Sequence, residues 1–171
     1  QNEIAARMNG FKFLVDLFET GDPDYKWPDL NEDDAAVVCY TSGTTGDPKG
    51  VLYSHKSIVV HANVVSLPDS FCLSATDTVM PVVPMFHVNA WGVPYASAMV
   101  GCRLVLPGPN LDGQSLIELM DQERVTMALA IPTIWEEVLE ILRDTSASLE
   151  SVERILSGGT AVPSWMINEF D

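Results

Sequence analysis

The chain has 171 residues, 47% of them hydrophobic, with 24 acidic against 9 basic side chains and a formal net charge of −15. That is about one domain's length with enough apolar material for a core, which excludes a disordered segment. A chain this acidic is repelled by nucleic acid and by anionic membrane surfaces, which excludes both as partners.

Residues 1–34 carry an acidic run (Asp22, Asp24, Asp29, Glu32, Asp33, Asp34) interrupted by Pro23 and Pro28, and read as a solvated lead-in or linker. Residues 35–171 read as one α/β domain. The run Ala35 to Tyr40 has strand composition. A loop follows, and then a helix over Ile58 to Leu67, with Ser54 or Ser57 as its cap. Thr78 to Cys102 contains no Asp, Glu, Lys or Arg, which at that length raises the question of a membrane span. Pro81, Pro84, Pro94, His87 and Asn89 break it, so it reads as a buried strand from Val79 to Pro84, a polar loop and a buried helix. Leu104 to Leu106 reads as a strand, Ser115 to Glu123 as a helix with Leu116, Leu119 and Met120 on one face, and Thr126 to Ile131 as a strand. Pro132 opens a helix with apolar residues at helical spacing. Arg154 to Leu156 is a strand entering a glycine pair, and Pro163 begins a last helix. Alternating strands and helices predict a mostly parallel sheet flanked by helices. Ligands of such sheets sit beyond the carboxyl ends of the strands, where Tyr40, Pro84, Pro132 and Ser157 are expected.

Cys39, Cys72 and Cys102 are odd in number and far apart, and neither they nor His55, His61 and His87 show metal-ligand spacing. No secretory signal pattern opens the chain. A reducing, cytoplasmic setting is the expectation.

The segment Tyr40 to Gly50 concentrates chemistry. Thr41, Ser42, Thr44 and Thr45 bring hydroxyls, Gly43, Gly46 and Gly50 bring backbone freedom, and Lys49 brings an ammonium. Such a nest of donors suits a polyphosphate such as ATP. It is not the nucleotide-triphosphatase loop G-x-x-x-x-G-K-[ST]: counted from Gly43, Pro48 stands at the second glycine, and Gly50 follows Lys49.

The same eleven residues match the pattern [YF]-T-S-G-[ST]-T-G-x-P-K-G throughout, with Asp47 at the variable position. That pattern is the signature of the adenylate-forming superfamily of acyl-CoA synthetases, luciferases and peptide-synthetase adenylation domains, which the chain resembles. Val83 to Gly92, built around Phe86-His87, is similar to the form of the next motif in medium- and long-chain fatty acyl-CoA synthetases. Ala130 to Thr133 and Ser157 to Ala161 are similar to two further family segments. The resemblance covers about residues 34–171 and implies part of the large N-terminal domain.

The resemblance implies activation of a carboxylic acid, here a fatty acid, by ATP and Mg²⁺, and transfer of the acyl group to coenzyme A. Thr41, Ser42, Gly43, Thr44, Thr45, Gly46 and Lys49 would bind the phosphates, with Thr41 also a Mg²⁺ ligand. Lys49 and His87 would act in catalysis. His87 and Trp91 would face the acid, and Met85, Val88, Val93 and Tyr95 would wall its channel. Gly158 and Gly159 would lie against adenine or acyl group. On the residues alone, His87, Trp91, Met85, Val88, Val93 and Tyr95 read equally as core side chains, and the glycine pair as a plain turn. If the turn after His87 is helical, Trp91 shares its face. The family's later elements, a Y-G-x-T-E motif and a terminal catalytic Lys, do not occur in the sequence, so a segment of a longer protein, inactive by itself, is expected. An uncovered sheet leads to an expectation of self-association. Another adenylating enzyme, taking amino or aryl acids, and a non-catalytic nucleotide-binding module are the alternatives.

Overall fold

The computed structural model describes residues 20–41 and 46–170. The chain divides into two units, Gln1–Leu30 and Asn31–Asp171. In the first, Asp22 organises a turn: its carboxylate accepts from the Asp24 amide (2.9 Å) and its carbonyl from the Tyr25 amide (3.2 Å). The Tyr25 and Trp27 rings meet edge to face.

The second unit holds two sheets. Strands β1 (Ala35–Tyr40) and β2 (Gly50–Ser54) form an antiparallel hairpin, with Tyr40 opposite Gly50. The ladder continues one step further, where the Thr41 amide donates to the Lys49 carbonyl at 2.9 Å. The glycine-rich loop thus joins two hairpin strands, where the sequence predicted strand, loop and helix. Helix α1 (His55–Val65) comes after β2, and Ser54 caps it by accepting from the Ser57 amide at 3.2 Å.

The second sheet is parallel, in the order β4 (Arg103–Leu104), β3 (Thr78–Pro81), β5 (Met127–Ala130), β6 (Arg154–Ser157). Helices α2 (Val93–Val100), α3 (Gly113–Gln122), α4 (Pro132–Asp144) and α5 (Ser164–Phe170) connect and follow these strands. Side chains alternate across the sheet. Met127 and Leu129 join a core with Val79, Ala62, Val65, Val93 and Ala96, under α1 and α2. Ala128 and Ala130 join Met80, Leu116, Met120, Trp135, Val138 and Met166, under α3, α4 and α5. All four residues of β5 are buried, as befits an interior strand covered on both faces. The result is a three-layered α/β architecture with a parallel sheet flanked by helices.

A polar knot ties the amino ends of the parallel strands. Asp77, 6% exposed, accepts from the Ser74 amide (2.7 Å), the Thr126 hydroxyl (2.9 Å) and the Arg154 guanidinium. Arg154 also donates to the carbonyls of Phe71 and Cys72. Burial acts to raise the Asp77 pKa, but the bonds from Arg154, Ser74 and Thr126 together outweigh it and hold the carboxyl below its ordinary range. At the opposite ends, Pro84, Pro132 and Ser157 lie at or just past β3, β5 and β6, as expected. Tyr40 does not: it belongs to the hairpin, a two-stranded antiparallel sheet separate from the parallel one.

Candidate active site

The site is assembled where the carboxyl ends of β3, β5 and β6 meet the hairpin and α1. After β3 the backbone enters a turn, Val88–Trp91, whose residues lie at φ of 49°, 53°, 48° and 55°, followed by Gly92 at 74°. It is therefore a left-handed turn. Non-glycine L-residues cost about 1–2 kcal/mol each in this conformation, Asn being the best tolerated. Four such residues in succession are sustained only where surrounding contacts fix them. His87 enters the turn with extended backbone, its amide donating to the Pro84 carbonyl at 3.0 Å. The right-handed helical spacing that would align His87 with Trp91 does not apply.

Three contacts hold the turn. The Cys39 thiol of β1 donates to Asn89 Oδ1 at 3.4 Å. His61 Nε2, on α1, lies 3.1 Å from the Trp91 carbonyl, and since a carbonyl only accepts, this nitrogen carries the proton. A Cβ on Gly92 would stand 2.3 Å from His61 Cδ2, so both the positive φ and the close approach of α1 demand glycine there. The half-buried Trp91 indole reaches over the glycine pair, its Cη2 3.2 Å from where a Gly158 Cβ would be, while Gly159 has φ of 90° and faces Ile131. Residues 67 positions apart in sequence thus share one surface.

An apolar cavity of about 250 Å³ opens between β2, α1 and the turn. Tyr53, Ile58, His61, Val88, Asn89 and Tyr95 are among its lining residues, and among the described residues no carboxylate lines it. Of the four residues expected to wall a channel or to be core, Val88 and Tyr95 line this cavity, Val93 is fully buried in the core, and Met85 is exposed.

The phosphate-binding candidates divide. Ser42, Gly43, Thr44 and Thr45 lie outside the described residues. Thr41, Gly46 and Lys49 are exposed at the hairpin end, and the Thr41 hydroxyl lies 3.5 Å from the Lys49 carbonyl. Neither the Lys49 ammonium nor the exposed His87 ring has a hydrogen-bond partner among the described residues. No group of three or more metal-ligating side chains occurs among them. The cysteines are free thiols, and no helix among these residues is long and apolar enough to cross a membrane. Cys39, Asn89 and His61 had not been singled out, since their contacts join segments 30 and 50 residues apart.

Known proteins resemble this chain in sequence and in fold. The sequence is 52% identical over 170 residues to a medium-chain-fatty-acid–CoA ligase of Ectopseudomonas oleovorans, covering 99% of this chain and 31% of that protein. It is 54% identical over 166 residues to a 3-methylmercaptopropionyl-CoA ligase of Ruegeria pomeroyi, covering 97% and 31%. The chain therefore spans about a third of the length of these relatives. The inhibitor-bound N-terminal domain of FACL13 from Mycobacterium tuberculosis superposes with a TM-score of 0.76 at 28% identity, over 92% of this chain and 39% of that one. The model of the AMP-binding enzyme family matches residues 3–171, and the chain belongs to that family.

Proposed function

We propose that the protein carrying this segment activates a fatty acid with ATP and passes the acyl group to coenzyme A. The observation that carries the reading is that the Val88–Gly92 turn, part of which lines the apolar cavity, is met on one side by Cys39 of the strand leading into the glycine-rich loop and on the other by Gly158. High identity to ligases of several acids supports the reaction type, and the apolar lining of the cavity favours an apolar acid.

In this reading residues 35–171 belong to the nucleotide- and acyl-binding domain. The hydroxyls, amides and Lys49 of the hairpin end hold the β- and γ-phosphates and neutralise charge on the departing pyrophosphate. Magnesium would come with the nucleotide, and Thr41 would offer one hard oxygen ligand beside those of the phosphates. The exposed His87 ring orients the substrate carboxylate as a donor. The acyl chain enters the cavity past Trp91. Similarity to ligases named for a medium-chain fatty acid and for 3-methylmercaptopropionate favours a short or medium chain.

The test is a hydroxylamine-trapping screen of the full-length protein with ATP and a panel of acids. Hydroxamate formation highest for short- and medium-chain aliphatic acids is expected. Preferential trapping of amino or aryl acids would replace the fatty-acid reading, and none from any acid would replace the enzyme reading with a binding module.

A further inference from the structure

The apolar cavity has two ends. At one, the His61 ring of α1 abuts Gly92 and donates to the Trp91 carbonyl, and Val88 and Asn89 of the left-handed turn complete the wall. The other end follows from helix geometry. Ser57 and His61 both line the cavity and stand four residues apart, hence on one face of α1 and about 6 Å apart along its axis. Ser57 is therefore one turn farther from Gly92, at the start of the helix. Its hydroxyl donates to the Ser54 carbonyl at 2.8 Å, which ties it to the cap. Tyr53 comes just before that cap, on β2, and also lines the cavity. The hairpin register turns Tyr53 inward. Cys39 pairs with Val51, Val38 with Leu52 and Val37 with Tyr53. Side chains alternate along a strand, so Cys39 and Tyr53 share one face and Leu52 takes the other. Cys39 meets Asn89 from its face, which is thus the one toward the turn. Leu52 is accordingly 63% exposed, whereas Tyr53 is half-buried. The Tyr53 hydroxyl has no hydrogen-bond partner among the described residues, so its loss alone would break no bond there.

We propose that Tyr53 is a specificity-determining residue, whose ring closes the far end of this cavity and sets the longest acid that the full-length enzyme accepts. This rests on the reading of the cavity as the acyl site. A chain whose carboxylate is held at His87 enters past Trp91. It runs against α1 from His61 past Ile58 toward the first helical turn, and its terminal carbons meet the phenol ring. A chain too long for this space has to displace packed atoms of the hairpin. One methylene more or less in such a pocket is worth about 10- to 200-fold in kcat/KM.

The experiment measures kcat/KM for thioester formation by the full-length enzyme with ATP, coenzyme A and straight-chain acids from butanoate to tetradecanoate. The variants are Tyr53→Ala, Tyr53→Trp, Tyr53→Phe and Leu52→Ala, and melting temperatures establish that each is folded. The wild type is expected to show an upper limit of chain length. Tyr53→Ala should raise kcat/KM about tenfold or more for the acids just beyond that limit, and Tyr53→Trp should lower it by a like factor for the longest acid the wild type accepts. Tyr53→Phe keeps the ring, and Leu52→Ala alters the outer face of the same strand, so both should leave the limit in place. Four results would overturn the proposal while sparing the ligase reading: a wild type with no upper limit, a limit unmoved by both Tyr53→Ala and Tyr53→Trp, a limit that Leu52→Ala moves as far as Tyr53→Ala does, and one that Tyr53→Phe moves as far. A wild type that forms a thioester with none of these acids would overturn both.

Discussion

Lys49 is exposed and has no hydrogen-bond partner among the described residues, so a structural role for its ammonium is small and its loss should register in chemistry. Lys49→Ala in the full-length protein is expected to lower ATP–pyrophosphate exchange about 10²–10³-fold, the usual effect of removing one preorganised charge stabiliser, with little change in melting temperature. Exchange at the wild-type rate would remove Lys49 from the mechanism. Trp91 is different, because it fills the surface left by Gly158. Trp91→Ala should open the cavity toward the glycine pair and shift acid preference to longer chains. An unaltered chain-length profile in competition assays would make Trp91 an ordinary packing residue. Gly158→Ala should push the indole the other way and narrow the range.

At the scale of elements, burial separated what was legible in the sequence from what was not. Strands β3 and β5 were readable because a strand covered on both faces is a short, nearly continuous apolar run, as in Met127–Ala130. Helix α4 was readable from Pro132 and the spacing of Trp135, Val138 and Leu139, all buried. The strand β2 was not. Gly50, Val51 and Leu52 are exposed, so no core pattern marks them, and the cap signal at Ser54 draws the helix back toward the loop. The left-handed turn was equally hidden, since Val88, Ala90 and Trp91 have no preference for positive φ, and only Asn89 and Gly92 hint at it. For the same reason His61 looked unremarkable. Two variants test these elements. Gly92→Ala meets both a strained φ and the His61 ring, and should destabilise the fold, with the loss partly recovered in Gly92→Ala/His61→Ala. Trp135 is 1% exposed, donates to the Leu156 carbonyl at 3.1 Å and meets Phe170 edge to face. Trp135→Ala should cost about 3–5 kcal/mol in denaturant unfolding, and a loss below about 1 kcal/mol would mean that the β6–α5 side is loosely held.

For the whole molecule, charge and exposed apolar surface set the behaviour in solution. The Asp77 carboxyl titrates below its unfolded value in the folded state, so its contribution is complete above about pH 4, and falls away as pH drops through the folded pKa. The gap in melting temperature between wild type and Asp77→Asn should therefore be widest near neutrality and narrow in acid. A gap unchanged from pH 7 to pH 3 would show that the knot does not depend on the charge. Leu52, Val59, Val60 and Val64 of the hairpin and α1 are about half exposed or more, and β6 is an edge strand. The isolated segment should self-associate, with an apparent mass in light scattering that rises with concentration; a constant monomer mass would contradict this.

The central claim is that the hairpin end at Tyr40–Gly50 holds the triphosphate. A crystal structure of the full-length protein with a non-hydrolysable ATP analogue tests it most directly. The β- and γ-phosphate oxygens are expected within hydrogen-bond distance of the backbone amides of residues 42–46 and of Lys49 Nζ, with the α-phosphate turned toward His87. Density for the triphosphate anywhere else on the molecule would contradict it.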